Sequence, residues 1–570
     1  MAEAAPSSGA PDPLAFGQNA LNLAPLAPAH GNHGMVVSAQ HLASEVGRRI
    51  LTEGGNAADA AVAVGYALAV VYPAAGNIGG GGFMLLRPPG KSAVFIDFRE
   101  HAPLAATETM YQDAKGNVIP DQSITGWKAV AVPGTVAGME MVRSRWGKLS
   151  RQKDLAPAIE LAEKGFILGE GDVELLHTST EQFLKDPAAR KIFLHADGSP
   201  LNAGDRLVQS ELASTLEQIS KHGPGAFYDG PISDAIVAAS QANGGILQKE
   251  DFRRYRVREL PPLTCTYRGY HIETSPPPSG GGVALCEMLE ILSGYDMASF
   301  GLHSPVALHY EIEAMRRAYA DRQDLGDPAF VKNPLTSLSD PSYTEAARKA
   351  IPADKAMLSA DMKAGEIQPE KHETTHYSVI DRSGFAVSTT YTLNGWFGAG
   401  VIAGNTGFFL NDEMDDFASK PGAPNMFGIV GSKANAIAPG KTPLSSMAPT
   451  IISKDGKPVM IIGSPGGSRI PTIILSVILG VIDYGLDIQQ AIDLPRIHEQ
   501  WEPGAVEMES GAVSPETAKV LQKEGYTLTP HKPWGIAEGI LTGGPRIGQA
   551  GSGYYGGFDR RHEGGAAAGE

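Results

Sequence analysis

At Thr374 the sequence changes character, and that change limits the fold more than any other feature. Residues 351–373 carry Pro352 and Pro369 among many Lys, Asp and Glu and follow neither a helical nor a strand period, which reads as an exposed linker. From Thr374 onward, Tyr377 and Val379, then Phe385, Val387, Thr389 and Tyr391, alternate about the turn Asp381-Arg-Ser-Gly384. Period-2 patterning on both sides of a short turn predicts a β-hairpin, with Gly384 in the left-handed position of a three-residue loop. Pairing Asp381 with Phe385 fixes a register in which Thr374 faces Thr392. Two threonines 18 residues apart are thereby expected side by side at the open end of one hairpin.

The hairpin belongs to a chain of 570 residues, long enough for two domains or one large layered core. Residues 57–71 are apolar nearly all round and predict a helix buried on most faces, ending before Pro73. Phe83-Met-Leu-Leu and Val94-Phe-Ile-Asp-Phe98 read as two buried strands, with Arg99 directly after the second. Ser304-Pro305 opens a scaffold helix whose Leu308, Ile312, Met315 and Tyr319 share a face. Strands, helices and a long linker in this order favour a mixed α+β layered fold. The longest apolar run, Ile473 to Ile482, is about half the roughly 20 residues a bilayer span needs, so it reads as a buried helix and no membrane span is expected.

Lys plus Arg at 47 against Asp plus Glu at 63 gives a net charge of -16, which argues against nucleic acid and anionic membrane as partners and leaves small neutral or zwitterionic ligands. The start, rich in Ala, Pro, Gly and Ser, has no basic or apolar stretch of an intact signal peptide, although Ala2-Glu3-Ala4 has the small residues of a cleaved one. The two cysteines, Cys265 in a strand-like stretch and Cys286 in a helix-like one, are expected to be buried free thiols acting as small hydrophobes; a disulfide between them stays open.

Three motifs invite a function and are set against simpler readings. His372-Glu-Thr-Thr-His376 spells the zinc-protease H-E-x-x-H, but that site needs a helix, and the β-branched threonines begin a strand. Gly79 to Gly82 precedes a strand rather than opening a helix and lacks a Lys-Ser/Thr ending, so close backbone packing is expected instead of phosphate binding. Ser464-Pro-Gly-Gly-Ser468 lacks the spacing of a serine nucleophile elbow, yet the amides of Gly466 and Gly467 suit a tetrahedral oxyanion.

Thr374-Thr-His-Tyr-Ser378, Thr392-Leu-Asn394, Asn411-Asp-Glu-Met-Asp-Asp-Phe417, Pro443-Leu-Ser-Ser-Met447 and Gly463-Ser-Pro-Gly-Gly-Ser-Arg469 resemble the γ-glutamyltranspeptidase family. Gly76-Asn-Ile-Gly-Gly-Gly-Gly-Phe83, Asp97-Phe-Arg-Glu100 and Pro133-Gly-Thr-Val-Ala-Gly138 extend the resemblance over nearly the whole chain. It implies a four-layer αββα N-terminal-nucleophile hydrolase sandwich. A large subunit of residues 1–373, with a flexible start over 1–30, and a small subunit of residues 374–570 would form a heterodimer from one precursor. Self-cleavage between Glu373 and Thr374 would free the Thr374 α-amine, whose ordinary pKa of about 7.7–8 suits a general base. The resemblance implies that Thr392 orients the nucleophile, that Gly466 and Gly467 form the oxyanion hole, and that Arg99 with Ser445 and Ser446 holds a substrate α-carboxylate. Asn394, Glu413 and Asp416 would hold the α-ammonium. Glu413 stands where some relatives have Gln, and residues 421–432 resemble a lid, with Phe427 where some have Tyr.

Glutathione or another γ-glutamyl compound would be the donor, and water, an amino acid or a dipeptide the acceptor, with no cofactor or metal, in a periplasmic or secreted setting. The nearest alternative is a glutaryl or cephalosporin acylase of the same family, against which Asp416 argues, because a glutaryl group has no ammonium to pair with it. A zinc metalloprotease using His372 and His376, and an uncleaved binding protein, are remoter alternatives.

Overall fold

Alternating side chains on extended, β-branched and aromatic-rich segments give two seven-stranded antiparallel sheets. The computed structural model describes residues 24–357, 374–501, 504–549 and 551–570. The strands that build the sheets are β1 (Ala29–Gly31), β2 (Met35–Ser38), β3 (Gly81–Arg87), β4 (Val94–Asp97), β5 (Arg258–Leu260), β6 (Leu263–Tyr267) and β7 (Tyr270–Thr274). They continue with β8 (Thr375–Ile380), β9 (Ala386–Thr392), β10 (Thr450–Lys454), β11 (Lys457–Gly463), β12 (Glu538–Thr542), β13 (Tyr554–Phe558) and β14 (Ala566–Gly569). One sheet runs β14-β2-β8-β9-β3-β4-β5 and the other β1-β13-β12-β11-β10-β7-β6.

Side-chain alternation divides the core into layers. Met84, Leu86, Ile96, Tyr377 and Val387 pack with the Ala57–Val71 helix and its neighbours on one side. Phe83, Leu85 and Phe95 point the other way, into a core shared with Ile272, Ile451 and Ile461 of the second sheet and with the helices Gly281–Leu292, Pro305–Arg322 and Ile470–Ile482. The result is the α+β sandwich of helix, sheet, sheet and helix layers. Among the described residues no helix is long and apolar enough to cross a membrane.

The Ala57–Val71 helix has the bounds its composition predicts, closed at its start by an Asn56 and Asp59 capping box. The helix expected from Ile473 begins earlier, at Ile470, and ends at Ile482. Two expectations need correcting. Cys265 of β6 and Cys286 of the Gly281–Leu292 helix are joined in a disulfide and are not free thiols, because that helix packs across β6 and brings together two cysteines 21 residues apart. The start expected to be flexible over 1–30 ends earlier than that, since Ala29 and His30 belong to β1, which pairs with β13. Residues 351–357 form neither helix nor strand, and the remainder of the 351–373 stretch, including His372 and Glu373, lies outside the described residues.

Candidate active site

The hairpin β8–β9 has the expected register: Thr375 pairs with Tyr391 and Ile380 with Ala386, so Thr374 continues it opposite Thr392. Asp381 N–H donates to the Phe385 carbonyl at 3.1 Å, and Gly384 has φ +80, the left-handed conformation the loop requires. Thr374 Oγ1 and Thr392 Oγ1 lie 3.3 Å apart. Thr392 is held from two sides. Its Oγ1 accepts the Asn394 backbone N–H at 2.8 Å, and its carbonyl accepts Asn77 Nδ2 at 2.9 Å. Asn394 itself has φ +78, a left-handed backbone that Asn tolerates better than most residues and that clusters at functional sites.

The glycines before β3 pack closely, as expected. A Cβ at Gly80 would sit 2.0 Å from the Thr392 carbonyl oxygen, and one at Gly79 would sit 2.1 Å from that of Phe409. Substituting Gly80 would therefore push on the strand end that carries Thr392. Of the two histidines of the zinc motif only His376 is among the described residues: it lies on β8, a strand and not a helix, and its two ring nitrogens meet Thr390 Oγ1 at 2.8 Å and Ser378 Oγ at 3.0 Å. Burial drives its pKa down to about 3, so the ring is a neutral rung between the sheets.

Nine of the ten side chains and amides assigned to catalysis and binding converge on one cavity: Arg99, Thr374, Thr392, Asn394, Glu413, Asp416, Ser445, Ser446 and Gly467. Gly466 stands one residue behind its wall, in a loop that leads from β11 into the Ile470–Ile482 helix. Gly466 has φ +141 and Gly467 φ +52, and a Cβ on Gly466 would meet Ile473 Cδ1 at 2.9 Å, so both positions demand glycine.

Charge is concentrated opposite the threonines. Arg99 is fully buried and pairs with Glu413 at 2.6 Å and with Asp416. Its Nε also donates to the Pro443 carbonyl at 2.9 Å, while the Tyr255 hydroxyl donates to the Arg99 carbonyl at 2.9 Å. Burial opposes the Arg99 charge, but Glu413 and Asp416 outweigh that and hold its pKa above the ordinary guanidinium value. Burial also raises the carboxyl of Asp416 and pushes that of Glu413 up to about 7, with Arg99 opposing in both cases. The 421–432 segment borders the cavity through Asn425 and Phe427, and Asn425 Nδ2 donates to Asp416 Oδ1 at 3.3 Å.

Two residues escaped the sequence reading. Glu100 is wholly buried beside Glu413, and burial followed by the Glu413 charge raises its carboxyl well above the ordinary range. Its place in the Asp97-Phe-Arg-Glu100 signature was the available signal. Arg322, at the end of the Pro305–Arg322 helix, lines the cavity with its Nη2 donating to Ser446 Oγ at 2.9 Å; no local pattern marked it.

A family model described as gamma-glutamyltranspeptidase matches residues 43–569. The glutathione hydrolase proenzyme of Pseudomonas sp. (strain A14) is 53% identical over 547 residues, 95% of each chain. That of Escherichia coli (strain K12) is 45% identical over 518 residues, 90% of this chain and 89% of its own. Among solved structures, cephalosporin acylase from Bacillus halodurans matches with a TM-score of 0.82 at 26% identity, covering 96% of this chain and 98% of the other.

Proposed function

The chain belongs to the γ-glutamyltranspeptidase family, and from that premise we propose that it cleaves itself before Thr374 and acts as a glutathione hydrolase and γ-glutamyl transferase. The observation that carries the reading is the meeting of the Thr374–Thr392 hydroxyl pair with the Arg99, Glu413 and Asp416 charges in one cavity.

Cleavage would give a large subunit of residues 1–373 and a small one of residues 374–570, and would make the Thr374 amine a base beside its own hydroxyl. In the reaction this amine takes the hydroxyl proton as Thr374 Oγ1 attacks the γ-carbonyl of the donor. Gly466 and Gly467 N–H groups stabilise the resulting oxyanion, a contribution of roughly 3–4 kcal/mol for a single donor in known cases. Collapse returns the proton to the departing amine and leaves a γ-glutamyl ester on Thr374. Water, or the amine of an amino acid or dipeptide, attacks the ester and restores the threonine.

The ion pairs explain why a glutamyl head fits. A donor α-carboxylate takes the place of Glu413 and Asp416 on Arg99, and the donor ammonium receives the two carboxylates so released, with Asn394, Ser445 and Ser446 completing the contacts. A glutaryl group would displace the same carboxylates and supply no cation, leaving buried acids unpaired. This favours the transpeptidase reading over the acylase one. The disulfide supports a periplasmic or secreted location, since such bridges persist in oxidising compartments.

Intact-mass spectrometry and a γ-glutamyl anilide assay test the reading. The parent is expected as two pieces breaking before Thr374 and releasing anilide, and Thr374→Ala as one inert chain. An active parent that stays whole would overturn it.

A further inference from the structure

Among the described residues five arginines are buried, and four of them have carboxylate partners: Arg99 with Glu413 and Asp416, Arg316 with Glu313 and Glu499, Arg469 with Glu507, and Arg496 with Asp559. Arg322 is the exception. It is 5% exposed, and among the described residues it has no ion pair. Its one hydrogen bond is from Nη2 to Ser446 Oγ at 2.9 Å, and its Nε is buried without a partner. The nearby negative charge of Asp416 is already engaged by Arg99. A guanidinium out of water with its charge uncompensated is costly, and the cost falls when an anion arrives. Burial pulls its pKa below the ordinary guanidinium value, and a guanidinium keeps its proton in proteins.

Its position identifies the anion. Arg322, Gln323, Ile429 and Val430 line both the cavity that holds Thr374 and an adjoining cavity walled by Tyr319, Gln500 and Trp501. The second cavity contains neither threonine of the catalytic pair nor any of the charges assigned to the glutamyl head. Whatever extends from the scissile amide into that second cavity passes Arg322. In a γ-glutamyl peptide the group beyond the amide is an amino acid or short peptide, which ends in a carboxylate, and so does an amino acid or dipeptide acceptor.

We infer that Arg322 binds the C-terminal carboxylate of the leaving amine and of the incoming acceptor, so that the enzyme selects α-amino acids and short peptides over amines lacking that group. This rests on the γ-glutamyl reading of the site. A charge-assisted hydrogen bond of this kind corresponds to a preference of about 10- to 100-fold.

The test uses the processed enzyme. With a γ-glutamyl anilide as donor, the parent is expected to use glycylglycine about 10- to 100-fold better in kcat/KM than glycylglycinamide, which is the same amine without the carboxylate. In Arg322→Gln this ratio is expected to fall below about threefold, and the ratio of glutathione to anilide hydrolysis to fall at least about tenfold, whatever happens to the absolute rates. A parent that makes no distinction between acid and amide acceptors overturns the inference without recourse to the variant. An equal loss on every donor and acceptor also overturns it, by assigning Arg322 to the glutamyl head through Ser446. A parent inert on the anilide fails one step earlier, at the function itself.

Discussion

Under the proposed function, two requirements pull on the Glu413 proton in opposite directions. The carboxyl must be ionised to receive the donor ammonium, yet burial, opposed by Arg99, holds its pKa at about 7. As pH falls through that value the carboxylate becomes neutral and the ammonium loses a counter-charge. The Thr374 amine, with an ordinary pKa of about 7.7–8, also stops acting as a base as pH falls. Two protonations therefore disable the free enzyme on its acidic side, and log kcat/KM is expected to fall with a slope near 2 below about pH 6. Glu413→Gln keeps a hydrogen-bond acceptor but has no proton to gain, so its slope is expected near 1, from the amine alone. A parent slope of 1, unchanged by the variant, would remove Glu413 from the titrating site. The candidate residues that line this cavity could be picked out individually because they stand in long local motifs. What could not be read was that Arg99 of one segment and Glu413 and Asp416 of another pair with each other, since that contact joins residues more than 300 positions apart.

At the scale of one element, the hairpin that carries Thr374 is fastened at its turn, at the far end from the nucleophile. Asp381 Oδ1 accepts from Ser383 N at 2.8 Å, Ser383 Oγ at 2.5 Å and Phe385 N at 3.2 Å. Its Oδ2 accepts from Ala57 N at 3.0 Å, at the first turn of the Ala57–Val71 helix, where a negative charge also suits the helix dipole. One side chain thus fixes the turn, and with it the register of the threonine pair, to the largest buried helix of the adjoining layer. Removing it in Asp381→Ala is expected to cost about 2–4 kcal/mol, measured by urea unfolding in a Thr374→Ala background so that only one species is present. Asp381→Asn, which keeps an acceptor oxygen, should lose less than half of that. A cost below 1 kcal/mol in the alanine variant would show that the strand ladder alone sets the register. The hairpin was readable in advance because period-2 alternation and a glycine at the turn are local. The Cys265–Cys286 bridge was not, because it depends on how the Gly281–Leu292 helix lies across β6, which neither segment's own pattern specifies.

For the whole molecule, the strand order decides what a break before Thr374 can do. In the first sheet β2, β3, β4 and β5 precede that point, while β8, β9 and β14 follow it; in the second, β1, β6 and β7 precede it, while β10 to β13 follow. Neither piece holds a complete sheet. The two pieces meet along the seams β14–β2, β2–β8, β9–β3, β1–β13 and β10–β7, each a ladder of backbone hydrogen bonds with apolar side chains on its faces. Separating the pieces would expose those ladders and both apolar cores to water, a far larger change than the loss of one peptide bond. The processed protein is therefore expected to elute in native buffer as one particle of the mass of the intact chain, 59.9 kDa, and to unfold in a single transition. Its two pieces should part only in denaturant. Resolution of the pieces by native gel filtration would mean that the interleaved sheets do not hold after cleavage. If they do hold, the cut frees the Thr374 amine where the base is needed while Thr392 and Arg99 stay in place, since β8–β9 is held by β2 on one side and β3 on the other.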